Sequence, residues 1–180
     1  EAFNISIPTA LFITLASYCM EVVVQPVTEG SWTIAFLYSV LVVLVIDFIQ
    51  IALAVVAKWT LMGRYRPTIK PMWSWWAIRT EAVSVMFWGM AGKSIMDEMR
   101  GTPFLPWVLR AFGTKIGKGV YMDMDDITEF DFGTIGDHAN LHALCALQTH
   151  LYANPLMEVA CIHVGNYVNH VPGHFVCFDD

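Results

Sequence analysis

Two apolar runs, residues 5–24 and 32–57, constrain this chain more than any other feature. Each is about 20 residues or longer, enough to cross a hydrocarbon core of about 30 Å. The first carries one charge, Glu21; the second carries Asp47, with Gln50 nearby. Neither has the polar face of a soluble amphipathic helix. The short turn between them predicts an antiparallel hairpin in the membrane. Acids within such spans face protein or an interface rather than lipid.

Charge placement orients the hairpin. The turn has no Lys or Arg, whereas Lys58, Arg64, Arg66 and Lys70 follow the second run. The positive-inside rule puts everything after Lys58 on the cytoplasmic side. All 10 Lys and Arg lie from Lys58 to Lys118, and none follows. Charged residues are only 14%, against about 25% in soluble domains. The acidic remainder disfavours nucleic acid and suits a cationic amine. The four Cys form no CxxC pair, and a cytoplasmic setting makes disulfides rare.

Residues 59–113 predict an interfacial helical neck. Trp73, Trp75 and Trp76 beside Arg79 form an aromatic belt. Residues 82–91 are apolar but too short to span. Gly101, Pro103 and Pro106 break the helix before a short basic segment.

From Lys115 the pattern changes. Ile116-Gly117-Lys118-Gly119-Val120, Ile135-Gly136-Asp137-His138-Ala139 and Val164-Gly165-Asn166-Tyr167-Val168 share an aliphatic–Gly start and a small or branched residue at the fifth position. Such recurrence predicts an all-β left-handed parallel β-helix of hexapeptide type over residues 114–180. The uneven spacing requires a protruding loop, placed at residues 148–158. With the membrane α-helical hairpin (residues 1–58) and the neck, this completes the expected architecture.

Chemistry concentrates in residues 127–150. All six His lie beyond residue 137. A neutral His oriented by a carboxylate or amide can take a proton from an attacking amine, and Glu129, Asp131 and His150 are the suitable types. Residues 113–180 contain no Ser, so a Ser nucleophile elbow is absent. No metal site is expected, for no HxxxH helix or CxxC supports one. No phosphate-binding loop appears either.

Several short motifs occur in order: Gly63-Arg64-Tyr65-Arg66, Pro71-Met72-Trp73-Ser74, Arg79-Thr80-Glu81, Gly101-Thr102-Pro103, Gly113-Thr114-Lys115-Ile116-Gly117, Ile127-Thr128-Glu129-Phe130-Asp131, Ile135-Gly136-Asp137 and Leu147-Gln148-Thr149-His150-Leu151. This run resembles the C-terminal membrane region of Pls-type nonribosomal peptide synthetases, the family of ε-poly-L-lysine synthetase. The resemblance covers residue 58 to the end. It implies the last helix pair and acyltransferase-like domain of a larger enzyme, forming an amide between a carrier-bound aminoacyl group and a free amine. The implied substrate is a phosphopantetheine-carried aminoacyl thioester from a carrier domain, with no cofactor in this segment. Further implied partners are the lipid bilayer and related tandem domains, or a homo-oligomer.

By the same resemblance His150 is the base or amine orienter, and Glu129 and Asp131 bind an ammonium. Asp137, Gln148, Thr149 and His138 are substrate-binding candidates. Two stretches depart from the family pattern: Ala153-Asn154-Pro155-Leu156 replaces a charged loop, and Val171-Pro172-Gly173-His174 replaces a regular closing coil. Two alternatives stand beside this reading. One is a non-catalytic membrane scaffold of the same synthetase. The other is a coenzyme-A-dependent acyltransferase, which lacks basic residues after Lys118 to hold the phosphates.

Overall fold

The computed structural model describes residues 30–92, 95–153, 155–173 and 175–177, together with Thr14, Ser17, Glu21 and Val24. The first expected span, residues 5–24, and hence the hairpin it would complete, lie outside the described residues. The second run forms helix α1, Trp32–Leu61. Its 30 residues extend about 45 Å at 1.5 Å per residue. It is long and apolar enough to cross a membrane, by length and composition. Most of its apolar side chains point outward. Only Ala35, Ile51, Ala54 and Lys58 are buried. The last three, spaced i, i+3, i+7, form the stripe along which one helix face meets its neighbours.

The neck folds against that stripe. After strand β1, Thr68–Pro71, helix α2, Trp75–Met86, begins with the Ser74 side chain accepting from the Ala77 N–H. This is the hydrogen bond expected of a Ser N-cap. The helix runs into a π-helical turn, Phe87–Ala91. A short helix α3, Ile95–Glu98, follows, and then α4, Phe104–Phe112. Pro106 does not break α4, because it sits in the first turn, where its missing N–H is not needed. Gly113 ends α4 in the left-handed region at φ 119°.

Three phenylalanines join neck to β-region. Phe87 of the π-turn lies 5.1 Å from Phe112 of α4 and 4.9 Å from Phe130. Phe112 and Phe130 are 4.7 Å apart. All three are essentially sealed from solvent. Burying a ring of this size contributes about 1.5–3 kcal/mol. Phe130 opens a 3₁₀ turn, Phe130–Phe132, so its locked ring fixes where Glu129 and Asp131, on either side, must point.

The strands are short: β2 Lys115–Ile116, β3 Tyr121–Met122, β4 Gly133–Ile135, β5 Asn140–Leu141, β6 Ala146–Gln148, β7 His150–Ala153, β8 Leu156–Val159, β9 Ile162–Val164, β10 Asn169–His170 and β11 Phe175–Cys177. Strands β2-β4-β9 pair in parallel, with Ile116, Ile135 and Val164 in register. So do β3-β5-β10 and β6-β11. The aliphatic–Gly recurrence therefore marks one parallel ladder.

The expected all-β left-handed parallel β-helix does not stand. The described residues form four small sheets, and one of them is antiparallel, in the order β1-β8-β7. It recruits β1 from the neck, with Thr68 opposite Val159 and Pro71 opposite Leu156. No closed barrel or solenoid results. The physical reason is the order of the pairings. The stretch expected to protrude as a loop pairs with itself instead, His150 opposite Val159 and Ala153 opposite Leu156. It then takes a third strand from outside the region.

Candidate active site

Glu129 and His150 meet, although they are 21 positions apart. Phe130 in the aromatic core turns the Glu129 carboxylate inward, where it is 1% exposed. The parallel bridge between Ile127 and Leu147 brings the two segments side by side. His150 then opens β7, and its Nδ1 lies 3.1 Å from Glu129 Oε2. The same oxygen accepts from the Thr128 hydroxyl at 2.6 Å and from the fully buried Thr149 hydroxyl. A buried carboxylate is tolerated when its lone pairs are satisfied in this way.

The far side of the imidazole faces an amide. His150 Nε2 is 3.2 Å from Gln148 Nε2, which also donates to the His150 carbonyl at 3.3 Å. With this amide orientation, Nε2 is an acceptor and Nδ1–H donates to Glu129. The assignment follows from the hydrogen-bond network, as is usual for amides and imidazoles. It is the tautomer a base needs, with the carboxylate fixing the ring and Nε2 unprotonated, although Gln148 must give up its hydrogen bond to Nε2 before a substrate proton can reach it.

The charges support each other. Burial opposes ionisation of Glu129, but the His150 hydrogen bond and charge, with the two Thr hydroxyls, outweigh it and hold its pKa below the ordinary value. The hydrogen bond to Glu129 raises the His150 pKa. Burial opposes that rise, while the charges of Glu129, Glu81 and Asp126 add to it.

The pair lines one side of a groove of about 970 Å³. Its other wall is supplied by α2, through Ala77, Thr80, Glu81 and Val85, and by Trp88. Trp73 and Tyr152 also line it. The groove is thus made jointly by the neck and the β-region. Tyr152 stands on the same face of β7 as His150, two residues on, with the rings 5.1 Å apart.

Four of the residues singled out from the sequence, Glu129, Gln148, Thr149 and His150, lie together here. The other three do not. Asp131 points to the opposite side of Phe130, where Oδ2 meets Lys58 Nζ at 2.6 Å and the Tyr65 N–H at 3.1 Å. Asp137 is exposed and accepts from the Lys118 N–H at 2.7 Å. His138 is exposed, holds a left-handed turn at φ 57° and stacks on Tyr167 at 5.2 Å. Sequence reasoning missed Thr128, Tyr152, Glu81 and Trp88. Strand alternation from His150 would have marked Tyr152. Nothing local in the sequence marks Glu81 or Trp88, since both reach the groove from the neck. Among the described residues, no group of three or more His, Cys, Asp or Glu is placed to hold a metal ion.

No family model matches the chain, and no solved structure matches it. Over 168 residues it is 33% identical to delta-poly-L-ornithine synthetase of Acinetobacter baumannii (strain AB307-0294). The chain resembles one segment of a poly-amino-acid synthetase. The similarity takes in 93% of this chain but only 13% of the relative. It supports kinship with Pls-like synthetases and points to no particular member. It is also consistent with a domain related to peptide ligases.

Proposed function

We propose that this segment is a membrane-anchored, amide-forming domain of a larger peptide synthetase, in which His150 is the general base and Glu129 its orienter. The observation that carries this is the Nδ1–carboxylate contact of 3.1 Å beside an open groove. The substrates would be an aminoacyl thioester on the phosphopantetheine arm of a carrier domain and a free amine, which is cationic in water and attacks as the neutral form after its ammonium proton has gone to solvent. The amine nitrogen attacks the thioester carbonyl carbon. A C–N bond forms, the C–S bond breaks, and the amine proton passes to His150 Nε2 and on to the departing thiolate. Glu81 and Glu129 give the groove a negative field that favours an amine over an anion. Asp131 has no part in this step; it serves the neck.

The length and composition of α1, and the positive charges that follow it, support an integral membrane protein with its β-region on the cytoplasmic side. Related tandem domains of the same synthetase, or a second copy, would complete the assembly. The test uses the whole synthetase with a preloaded carrier. His150→Ala and Glu129→Gln should each lower amide product by roughly 10²–10⁴-fold. Undiminished chain growth in His150→Ala would remove the residue from the chemistry.

One observation favours the scaffold reading. Nε2 of His150 already faces the Gln148 amide, so the ring could serve purely to tie β6 to β7. The scaffold reading expects Gln148→Ala and His150→Ala to change stability together and to leave the rate per folded molecule intact.

A further inference from the structure

Helix α4 carries one charge, Arg110, among its nine residues. That guanidinium is turned back on its own chain. Its Nε and Nη2 donate to the Ile116 carbonyl, both at 3.1 Å, and Nη2 also donates to the Gly117 carbonyl at 2.6 Å. The rest of the helix is apolar on every side. Leu105, Leu109 and Phe112 are sealed in the core. On the outward side Phe104 and Trp107, one turn apart, stay 51% and 62% exposed, with their rings edge to face at 5.5 Å. A helix that is apolar all round belongs where both faces leave water.

The position of α4 indicates what covers that outward side. Trp59, in the last turn of α1, donates its indole N–H to the Ala111 carbonyl at 2.9 Å. Ala111 shares the outward stripe of Phe104 and Trp107, at i, i+3 and i+7. Trp59 shares a stripe of α1 with Phe48, Ala52 and Val56, all of them exposed. The two apolar faces therefore meet, and α1 is long and apolar enough to cross a membrane. Lys115 and Lys118, both exposed, lie just beyond α4 and suit anionic headgroups. We propose that the outward face of α4 is a second membrane contact, in which Phe104 and Trp107 enter the interfacial layer of the bilayer beside the end of α1. Tryptophan is enriched in that layer, and a helix can lie in it without crossing. A protein partner would have to displace lipid already gathered round α1. The contact presupposes the membrane-anchored reading of α1 and owes nothing to the chemistry at His150. Phe112, at the end of α4, packs on Phe130 at 4.7 Å, so the contact holds the β-region at a fixed height over the bilayer.

The test puts the photocrosslinker p-benzoylphenylalanine in place of Trp107, Val43 or Tyr167 in the full-length protein, held in nanodiscs of phosphatidylcholine and phosphatidylglycerol. After irradiation, mass spectrometry identifies the adducts. All three side chains are exposed, so the substitutions leave the core intact. Val43 lies in the middle of α1, and Tyr167 follows β9, the far strand of the ladder that begins at β2. Lipid adducts at Trp107 should be as abundant as at Val43, with none above background at Tyr167. Lipid adducts at Val43 without any at Trp107 would overturn this contact alone. Their absence from both would overturn the anchoring by α1 and this contact with it. Protein adducts at Trp107 in place of lipid, to a second copy or to another chain, would also reject it.

Discussion

Lys58 Nζ and Asp131 Oδ2 lie 2.6 Å apart across 73 positions of sequence. The lysine side chain is fully buried and the aspartate only 13% exposed. The ammonium also sits 3.6 Å from the centre of the Trp59 ring. Removing one partner strands the other charge away from water. Asp131→Ala or Lys58→Met should each destabilise by about 3–5 kcal/mol. The double variant Lys58→Met/Asp131→Leu should lose much less than the sum of the singles. Denaturant unfolding in detergent, with Trp fluorescence as the readout, checks both statements.

The Glu129–His150 pair predicts a stability window. The folded His150 pKa is raised, so its contribution is full below the ordinary value of 6.5 and is lost as pH climbs through the folded value. The Glu129 pKa is lowered, so its contribution is full above the ordinary 4.5 and is lost as pH falls through the folded value. The pair should therefore stabilise most between pH 4.5 and 6.5. In Glu129→Gln the loss on raising pH should shrink. Thermal unfolding across pH, with NMR titration of His150, reads this. As a base, His150 must be neutral, so the rate of amide formation should rise with pH through a value above 6.5. Glu129→Gln should move that inflection down.

Thr149→Val keeps the shape of a buried side chain and removes one donor to Glu129. The expected loss is about 1–3 kcal/mol, because the carboxylate remains buried with one hydrogen bond fewer. The Glu129 pKa should rise, since the Thr149 hydroxyl is among the groups that lower it. Thr149→Ser, which restores the hydroxyl, should recover most of the pKa change. Carboxyl NMR titration distinguishes this from simple loss of packing.

Gly113 predicts a steric fault. At φ 119° a side chain is strained, and a Cβ there would come within 3.1 Å of Lys58 Nζ and press on the Asp131 carboxylate. Gly113→Ala should cost about 1–3 kcal/mol from backbone conformation alone. In a protein already lacking the Lys58–Asp131 pair the backbone cost should remain, and only the additional loss from crowding these two side chains should disappear. Comparing unfolding midpoints of the single and combined variants measures that coupling.

These relationships differ in how far the sequence exposes them. The long apolar run after Trp32 is legible because one helix of that length needs only composition and distance. The Gly-marked recurrence at Ile116, Ile135 and Val164 is legible because its three members align in one ladder. Residues 127–150 are legible as polar density, since Glu129 and His150 come from segments that pair directly. The direction of Asp131 is not. It depends on the end of α1, and no local pattern announces that a lysine 73 positions earlier will be there. The antiparallel sheet is hidden for the same reason, because β1 reads as part of the neck until β8 is seen beside it.

Strand β1 has a practical consequence. A protein cut back to residues 114–180 would present the outer edge of β8 bare, a template for sticking to other chains. It would also leave Asp131 without its lysine and the groove without the wall that α2 provides. Anyone seeking a lipid-free version of the β-rich half should keep residues 58–113 attached and replace the outward-facing side chains of α1.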